Sequence, residues 1–267
     1  MRKKAILVVS FGTSYQENIQ KTIGAVEESL RQAFPDYPLF RAFTSPTIRR
    51  KLWEKEKIEV KSPEEMLRTL KQEGYEAVLV QPTFVLRGFE YERLKECVEK
   101  FQREFDQLRL GTPLLYEESD IKALGEALCA LVEQEEESKE TEWIFVGHGT
   151  EHEADEVYQS LQSYFRKKQN PKIWIGTVEG SVGIAELARS LKEQEVCQKK
   201  TDTQVRLHPL LLVAGEHANN DIAGDEEDSW KSTLQREGFL VSCCLRGLGE
   251  YPQIQKLYQE KVSRLLA

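Results

Sequence analysis

Two stretches decide the fold of this chain: AILVVSFGT at residues 5–13 and WIFVGHGT at residues 143–150. Each is an apolar run that ends in Gly-Thr and leads into a polar stretch with helical periodicity. The Gly-Thr pair recurs after 137 residues, from Gly12 to Gly149, and the second copy has His148 where the first has Phe11. The sequence therefore contains an internal duplication.

A second pair of segments supports the duplication. QPTFVLRGFE at residues 81–90 matches HPLLLVAGEH at residues 208–217, with 127 residues between Gly88 and Gly215. The two spacings differ slightly, as loops of unequal length would make them differ. We predict two similar lobes, one of them rich in potential metal ligands, that face a shared cleft.

The bulk composition is that of an ordinary globular protein, with 40% hydrophobic and 31% charged residues. The 267 residues suffice for two domains of about 130 residues each. An acidic run at residues 133–142 is interpreted as the connection between them. We therefore predict an N-terminal α/β lobe at residues 1–135 and a C-terminal lobe, which carries the metal ligands, at residues 136–267.

Charge and hydropathy exclude several classes of function. A net charge of −8 is unsuited to a general nucleic-acid binder. No apolar stretch approaches the ~20 residues of a membrane span, and the first residues lack the apolar core of a secretory signal. The five cysteines are odd in number and show no C-x-x-C spacing, which is typical of reduced thiols. We expect a cytoplasmic protein that binds neither nucleic acid nor membrane; self-association stays open.

Short β-rich runs alternate with amphipathic, charged stretches, which is typical of parallel sheets with crossover helices. The predicted strands are 5–10, 39–44, 77–83 and 111–115 in the first half, and 143–147, 172–177, 205–213 and 239–244 in the second. This order predicts an α/β fold of two similar lobes, each a four-stranded parallel sheet flanked by helices. Residues 251–266 have the spacing of an amphipathic helix, which could pack on either lobe.

Three potential metal ligands each follow a different predicted strand of the second half. His148 lies between two glycines, Glu179 follows the strand at 172–177, and His217 ends the second repeated segment. Ligands of open parallel sheets bind beyond the carboxyl ends of the strands. Two imidazoles and one carboxylate form a divalent metal site with open positions, which suits Co²⁺, Fe²⁺, Ni²⁺ or Zn²⁺ without choosing among them.

Other residues near strand ends are candidates for supporting roles. Glu90 holds the place in the first copy that His217 holds in the second, so we predict that it reaches the same cleft as an acid or base or as a carboxylate that delivers the metal. His152 is a weaker candidate for a ligand or proton shuttle, and we expect His208 to be a packing residue.

The segment from Ser10 through Phe11 and Gly12 to Thr13 joins a strand to a helix, and its backbone N–H groups could bind an anionic group. Arg49 and Arg87 are positive charges near strand ends, which matter if the substrate is a polycarboxylate. No G-x-G-x-x-G or P-loop pattern supports a nucleotide.

At these residues the chain resembles the anaerobic cobalt chelatases of cobalamin biosynthesis, within the class II chelatases. The resemblance rests on VSFGTS at 9–14, VGHGT at 146–150, TVEG at 177–180 and VAGEHANNDIAG at 213–224. It implies two Rossmann-like lobes, a tetrapyrrole cleft, and insertion of Co²⁺ into sirohydrochlorin or its reduced form. It also implies that His148, Glu179 and His217 bind the metal, with Glu90 on the facing wall.

The residue types fit that chemistry, because neutral imidazoles can hold a metal loosely and accept protons. We therefore expect His148 or His217 to act also as a base, and no organic cofactor. Three alternatives stay open: a ferro- or nickelochelatase, a tetrapyrrole or metal carrier without turnover, and a metal-dependent hydrolase. The hydrolase lacks an H-E-x-x-H helix and leaves the duplication unexplained.

Overall fold

The structure is a computed structural model that describes residues 2–135, 141–168, 170, 172–198, 202–216 and 218–266. Its contacts divide the chain into two compact units. Unit 1 comprises Met1–Tyr116 with Gly249–Ala267, and unit 2 comprises Glu117–Leu248. No helix among the described residues is long and apolar enough to cross a membrane.

Unit 1 is built on a parallel sheet of four strands in the order β2-β1-β3-β4. The strands are β1 (Lys4–Ser10), β2 (Leu39–Phe43), β3 (Ala77–Pro82) and β4 (Gln107–Leu110). Strand β1 lies between β2 and β3, and its residues 5–9 are fully buried. A continuous apolar run is what a strand covered on both faces requires, which explains the first repeated segment.

Two of the unit 1 helices begin at a serine that caps the first turn. The helices of this unit are α1 (Gln16–Asn18), a π-helical segment (Ile19–Ile23), α2 (Gly24–Ala33), α3 (Pro46–Glu56), α4 (Pro63–Gln72), α5 (Phe89–Phe101) and α10 (Pro252–Leu266). Ser45 caps α3, and Ser62 forms a reciprocal capping box with Glu65 at the start of α4. Each cap satisfies backbone N–H groups that the first helical turn leaves without partners.

Unit 2 repeats the architecture, with strand order β6-β5-β7-β8. Its strands are β5 (Glu142–Gly147), β6 (Ile173–Thr177), β7 (Gln204–Pro209) and β8 (Leu240–Cys243). Its helices are α6 (Glu118–Glu135), α7 (Glu156–Lys167), α8 (Ile184–Gln198) and α9 (Trp230–Arg236), with a 3₁₀ turn at Glu153–Asp155 and a π-helical segment at Ala218–Ile222. The predicted fold of two four-stranded parallel sheets flanked by helices is confirmed.

The glycine φ angles and the hydrogen bonds of the threonine side chains show that the two Gly-Thr turns have the same conformation. Gly12 and Gly149 both have a left-handed φ, of 102° and 80°. Thr13 Oγ1 accepts from the N–H two residues later at 3.3 Å, and Thr150 Oγ1 does the same at 3.1 Å. The Gly-Thr pair is therefore a turn that stops the strand and starts the following helix.

The boundary between the units differs from the predicted one at residues 135 and 136. Helix α6 packs on α7 in unit 2, and α10 packs on α2 in unit 1. Tyr258 is fully buried in unit 1, where its hydroxyl donates to Thr83 O at 2.9 Å. Each half of the sequence thus ends in a helix whose apolar face is buried in the unit built mainly from the other half.

Two predicted strands had wrong limits. The fourth strand is β4 at Gln107–Leu110, and the predicted range 111–115 follows it as a loop that joins Leu86 through a single bridge at Leu115. Strand β7 ends at Pro209, whereas the prediction extended to residue 213. Leu210 is nevertheless buried, so the apolar residues after Pro209 belong to the core without belonging to the sheet.

Candidate metal centre

His148 and Glu179 follow adjacent parallel strands, β5 and β6, and lie side by side in unit 2. His148 Nδ1 is 3.8 Å from Glu179 Oε2, and the side chains are 40% and 63% exposed. The backbone fixes this approach, because Glu179 N–H donates to His148 O at 2.7 Å and Val178 N–H donates to Gly147 O at 3.0 Å. Both side chains can therefore reach an ion that arrives from solvent.

The hydrogen bond of the imidazole selects its tautomer. His148 Nδ1 is 3.1 Å from Gly149 O, and a carbonyl oxygen only accepts. The neighbouring Glu179 carboxylate is also an acceptor. Nδ1 is therefore the protonated nitrogen of the neutral ring, and Nε2 carries the lone pair that a metal ion or a proton requires.

Two glycines permit the loops of His148 and Glu179 to approach so closely. A Cβ on Gly149 would lie 2.2 Å from Gly180 N, and a Cβ on Gly180 would lie 2.4 Å from Asp155 Oδ1. Both distances are far below van der Waals contact, so only glycine fits at either position. Each glycine directly follows a predicted ligand in the sequence, and this pattern indicates that the two loops approach closely.

Tyr158 supports the same turn from α7. It is almost completely buried against Gly147, where a Cβ would lie 2.5 Å from its ring. Burial raises the pKa of its phenol, and a hydrogen bond from the Gly149 backbone opposes the shift. The phenol stays neutral and braces the backbone beside His148.

The third predicted ligand, His217, lies outside the described residues. The turn before it is described: Gly215 N–H donates to Val213 O at 3.1 Å, as Gly88 N–H donates to Leu86 O at 3.0 Å. Counting two residues onward aligns His217 with Glu90, as the sequence predicts. Among the described residues no group of three or more His, Cys, Asp or Glu side chains could hold a metal ion.

The other histidines have structural contacts. His152 Nδ1 accepts from Ala154 N–H at 3.0 Å and caps the 3₁₀ turn, so in the neutral ring Nε2 carries the proton and offers no lone pair. His208 is fully buried beside Phe145, with Nδ1 at 2.8 Å from Pro209 O. Burial lowers the pKa of His208 to about 4, and it remains neutral, which agrees with the predicted packing role.

The predicted residues of unit 1 lie at the carboxyl ends of its strands. Ser10 is buried and its Oγ accepts from Thr83 Oγ1 at 2.8 Å, whereas Phe11 is 50% exposed. Glu90 accepts from Arg93 at 2.8 Å in the first turn of α5. The predicted cations are both ion-paired, Arg49 with Glu65 at 3.1 Å and Arg87 with Glu92 at 2.6 Å.

A cavity of about 870 Å³ in unit 2 does not coincide with these residues. Trp143, Gln204 and Leu240 line it, at the beginnings of β5, β7 and β8. His148 and Glu179 lie at the opposite ends of their strands. Because chemistry in open parallel sheets takes place at the carboxyl ends, we place the candidate site at His148 and Glu179.

Comparison with known proteins agrees with this fold. The solved structure of SirB from Bacillus subtilis with Fe³⁺ is similar to the chain with a TM-score of 0.67 and 14% identity, over 99% of this chain and 96% of that one. CbiX, described as the terminal enzyme of siroheme biosynthesis in denitrifying bacteria, gives a TM-score of 0.58 and 18% identity over 98% and 100%. The fold is that of these chelatases.

Sequence comparison narrows the class to one family. The family described as cobalt chelatase (CbiK) matches residues 4–266, and the chain belongs to that family. It is 39% identical to the sirohydrochlorin cobaltochelatase of Salmonella typhimurium over 96% of this chain and 94% of the relative. It is 34% identical to the sirohydrochlorin cobaltochelatase CbiKC of Nitratidesulfovibrio vulgaris over 94% and 86%.

Proposed function

We propose that this protein is a sirohydrochlorin cobaltochelatase, which inserts Co²⁺ into sirohydrochlorin in anaerobic cobalamin biosynthesis. The observation that carries the proposal is the partly exposed pair of His148 and Glu179, which follow adjacent strands and lie 3.8 Å apart. The two curated relatives with that activity match nearly the whole chain. The proposed ligand set is His148, Glu179 and His217.

The proposed reaction exchanges two protons for one metal ion. Two pyrrole N–H groups of the macrocycle lose their protons, Co²⁺ binds the four ring nitrogens, and two protons leave. His148 first holds Co²⁺ through Nε2. As the metal passes to the macrocycle, the released lone pair accepts a pyrrole proton. Glu179 balances the charge of the arriving cation. His217 and Glu90 are proposed to share the proton transfer.

Exposed aromatic side chains of unit 1 support a flat, apolar substrate. Phe11, Phe89 and Tyr116 are between 43% and 53% exposed, and all three follow strands of the sheet. Exposed large aromatics signal a binding surface, and a tetrapyrrole ring offers the face on which aromatic rings stack. The backbone of residues 10–13, with Arg49 and Arg87, is proposed to receive the carboxylate substituents.

Metal insertion is neither a redox nor a phosphoryl-transfer reaction, so we infer no organic cofactor. The sequence features above lead us to propose a cytoplasmic protein. Cobalt is proposed as the metal because both curated relatives are cobaltochelatases; Fe²⁺, Ni²⁺ and Zn²⁺ suit the same ligands.

The test is anaerobic absorbance of sirohydrochlorin mixed with Co²⁺, Fe²⁺, Ni²⁺ or Zn²⁺, with and without the protein. We expect rapid cobalt-dependent conversion that His148→Ala and His217→Ala abolish. His152→Ala is the matched control, because this neighbouring histidine caps a turn, and it should retain most of the activity. Shifts in the tetrapyrrole spectrum without metal insertion would identify a carrier. Faster insertion of another metal would show that cobalt is not the preferred substrate.

A further inference from the structure

We propose that Asp155 is a positioning residue of the metal site, whose carboxylate holds the loop of His148 against the loop of Glu179. Asp155 is buried, and its two oxygens are divided between the loops. Oδ1 accepts from Thr150 N–H at 3.0 Å, and Oδ2 accepts from Ser181 N–H at 2.7 Å. Each donor lies two residues after a proposed metal ligand.

The packing around the carboxylate leaves it one position. A Cβ on Gly180 would lie 2.4 Å from Asp155 Oδ1, and a Cβ on Gly149 would lie 2.2 Å from Gly180 N. Asp155 thus fills the space that a side chain on Gly180 would need. Two hydrogen bonds from one carboxyl group to separate loops hold those loops in one relative position.

The first copy of the duplicated sequence has an amide in place of this carboxylate. The residue 137 positions before Asp155 is Asn18, at the corresponding place after β1. Ser45 stands where the second copy has Glu179, since its N–H donates to Phe11 O at 3.2 Å. The carboxylate therefore occurs in the copy that carries the proposed ligands, which favours a role at the metal site over a general need of the fold.

Asp155→Asn tests the proposal, which rests on the proposed function. Asparagine keeps the size but replaces one acceptor oxygen with an N–H₂ donor that faces a backbone donor. Loss of a residue that orients metal ligands typically weakens metal affinity by roughly 10- to 100-fold. We expect the KM for Co²⁺ in sirohydrochlorin metallation to rise in that range, with kcat at saturating cobalt within a few-fold of the wild type.

Asp120→Asn is the matched control, because Asp120 is equally buried in unit 2 and accepts from Glu117 N–H at 3.1 Å at the start of α6. It should lower the thermal midpoint without changing the KM for Co²⁺. Equal KM values in both variants and the wild type would overturn the proposal. If Asp155→Asn does not fold by circular dichroism, Asp155→Ser replaces it, because serine has one oxygen in place of the two that bind the separate loops.

A second measurement separates this inference from the proposed function. Calorimetric titration with CoCl₂ alone measures binding to the metal ligands without tetrapyrrole. If the wild type inserts no cobalt, the proposed function fails, whereas a weaker Kd of Asp155→Asn for Co²⁺ still supports the positioning role. Unchanged Co²⁺ affinity in a folded Asp155→Asn protein would contradict the positioning role.

Discussion

Replacing Gly180 by alanine should damage the metal site through a distance that the structure defines. The new Cβ would lie 2.4 Å from Asp155 Oδ1 and 2.7 Å from Thr177 Oγ1, whereas ordinary contact begins at 3.4 Å, so the loop of Glu179 or the Asp155 carboxylate that holds it must move by about 1.0 Å. A misplacement of this size can lower the rate by roughly 100-fold. The strain itself should destabilise the fold by about 1–3 kcal/mol.

Gly183→Ala is the control within the same loop, since no atom lies within 4 Å of a Cβ there. Initial rates of anaerobic cobalt insertion would be compared with thermal midpoints for both variants and the wild type. We expect the Gly180→Ala protein to melt several degrees lower, at about 2–4 °C per kcal/mol, and to lose most of its kcat/KM for Co²⁺. Rates within twofold of the Gly183→Ala protein would refute the close-approach argument.

Three further predictions concern stability. Above pH 6.5 His208 is neutral in both the folded and the unfolded chain, but between pH 6.5 and about 4 only the unfolded chain binds the proton. The free energy of unfolding should therefore fall by about 3 kcal/mol as the pH is lowered through this range. His208→Asn should reduce this loss, which urea unfolding at pH 7.5 and pH 5 would measure. Arg41→Ala should cost about 3–5 kcal/mol in urea unfolding, because buried Glu27 loses its bidentate partner; Arg41→Lys should recover part of it. Tyr258→Phe should cost about 1–3 kcal/mol by leaving Thr83 O without this donor, and an unchanged midpoint would contradict that contact.

The duplication was readable from the sequence because its signals are backbone requirements. Gly12 and Gly149 both adopt a left-handed φ, and the apolar runs before them are the central strands of the two sheets. These backbone constraints are the same in both copies, although the neighbouring side chains differ. Strand β4 gave a weaker signal, because it has four residues and Gln107 and Arg109 are exposed.

The candidate site was predictable in part. Strand-end position brought His148 and Glu179 together as predicted, since β5 and β6 are neighbours. The role of Asp155 was not predictable from the sequence. A carboxylate near the start of a helix is common, and the two hydrogen bonds that it accepts come from loops that are distant in sequence. The capping role of His152 was also not predictable from the sequence, since it depends on which ring nitrogen faces Ala154.

The placement of α10 has a consequence for the order in which the protein folds as it is made. Unit 2 is one uninterrupted stretch, Glu117–Leu248, and all of it is synthesised before α10. Unit 1 starts first but needs Gly249–Ala267 to cover α2 and β3. Domains made first usually fold first during synthesis. Here the later domain should be finished while the earlier one still exposes apolar surface, so the synthesis of α10 decides when unit 1 becomes stable.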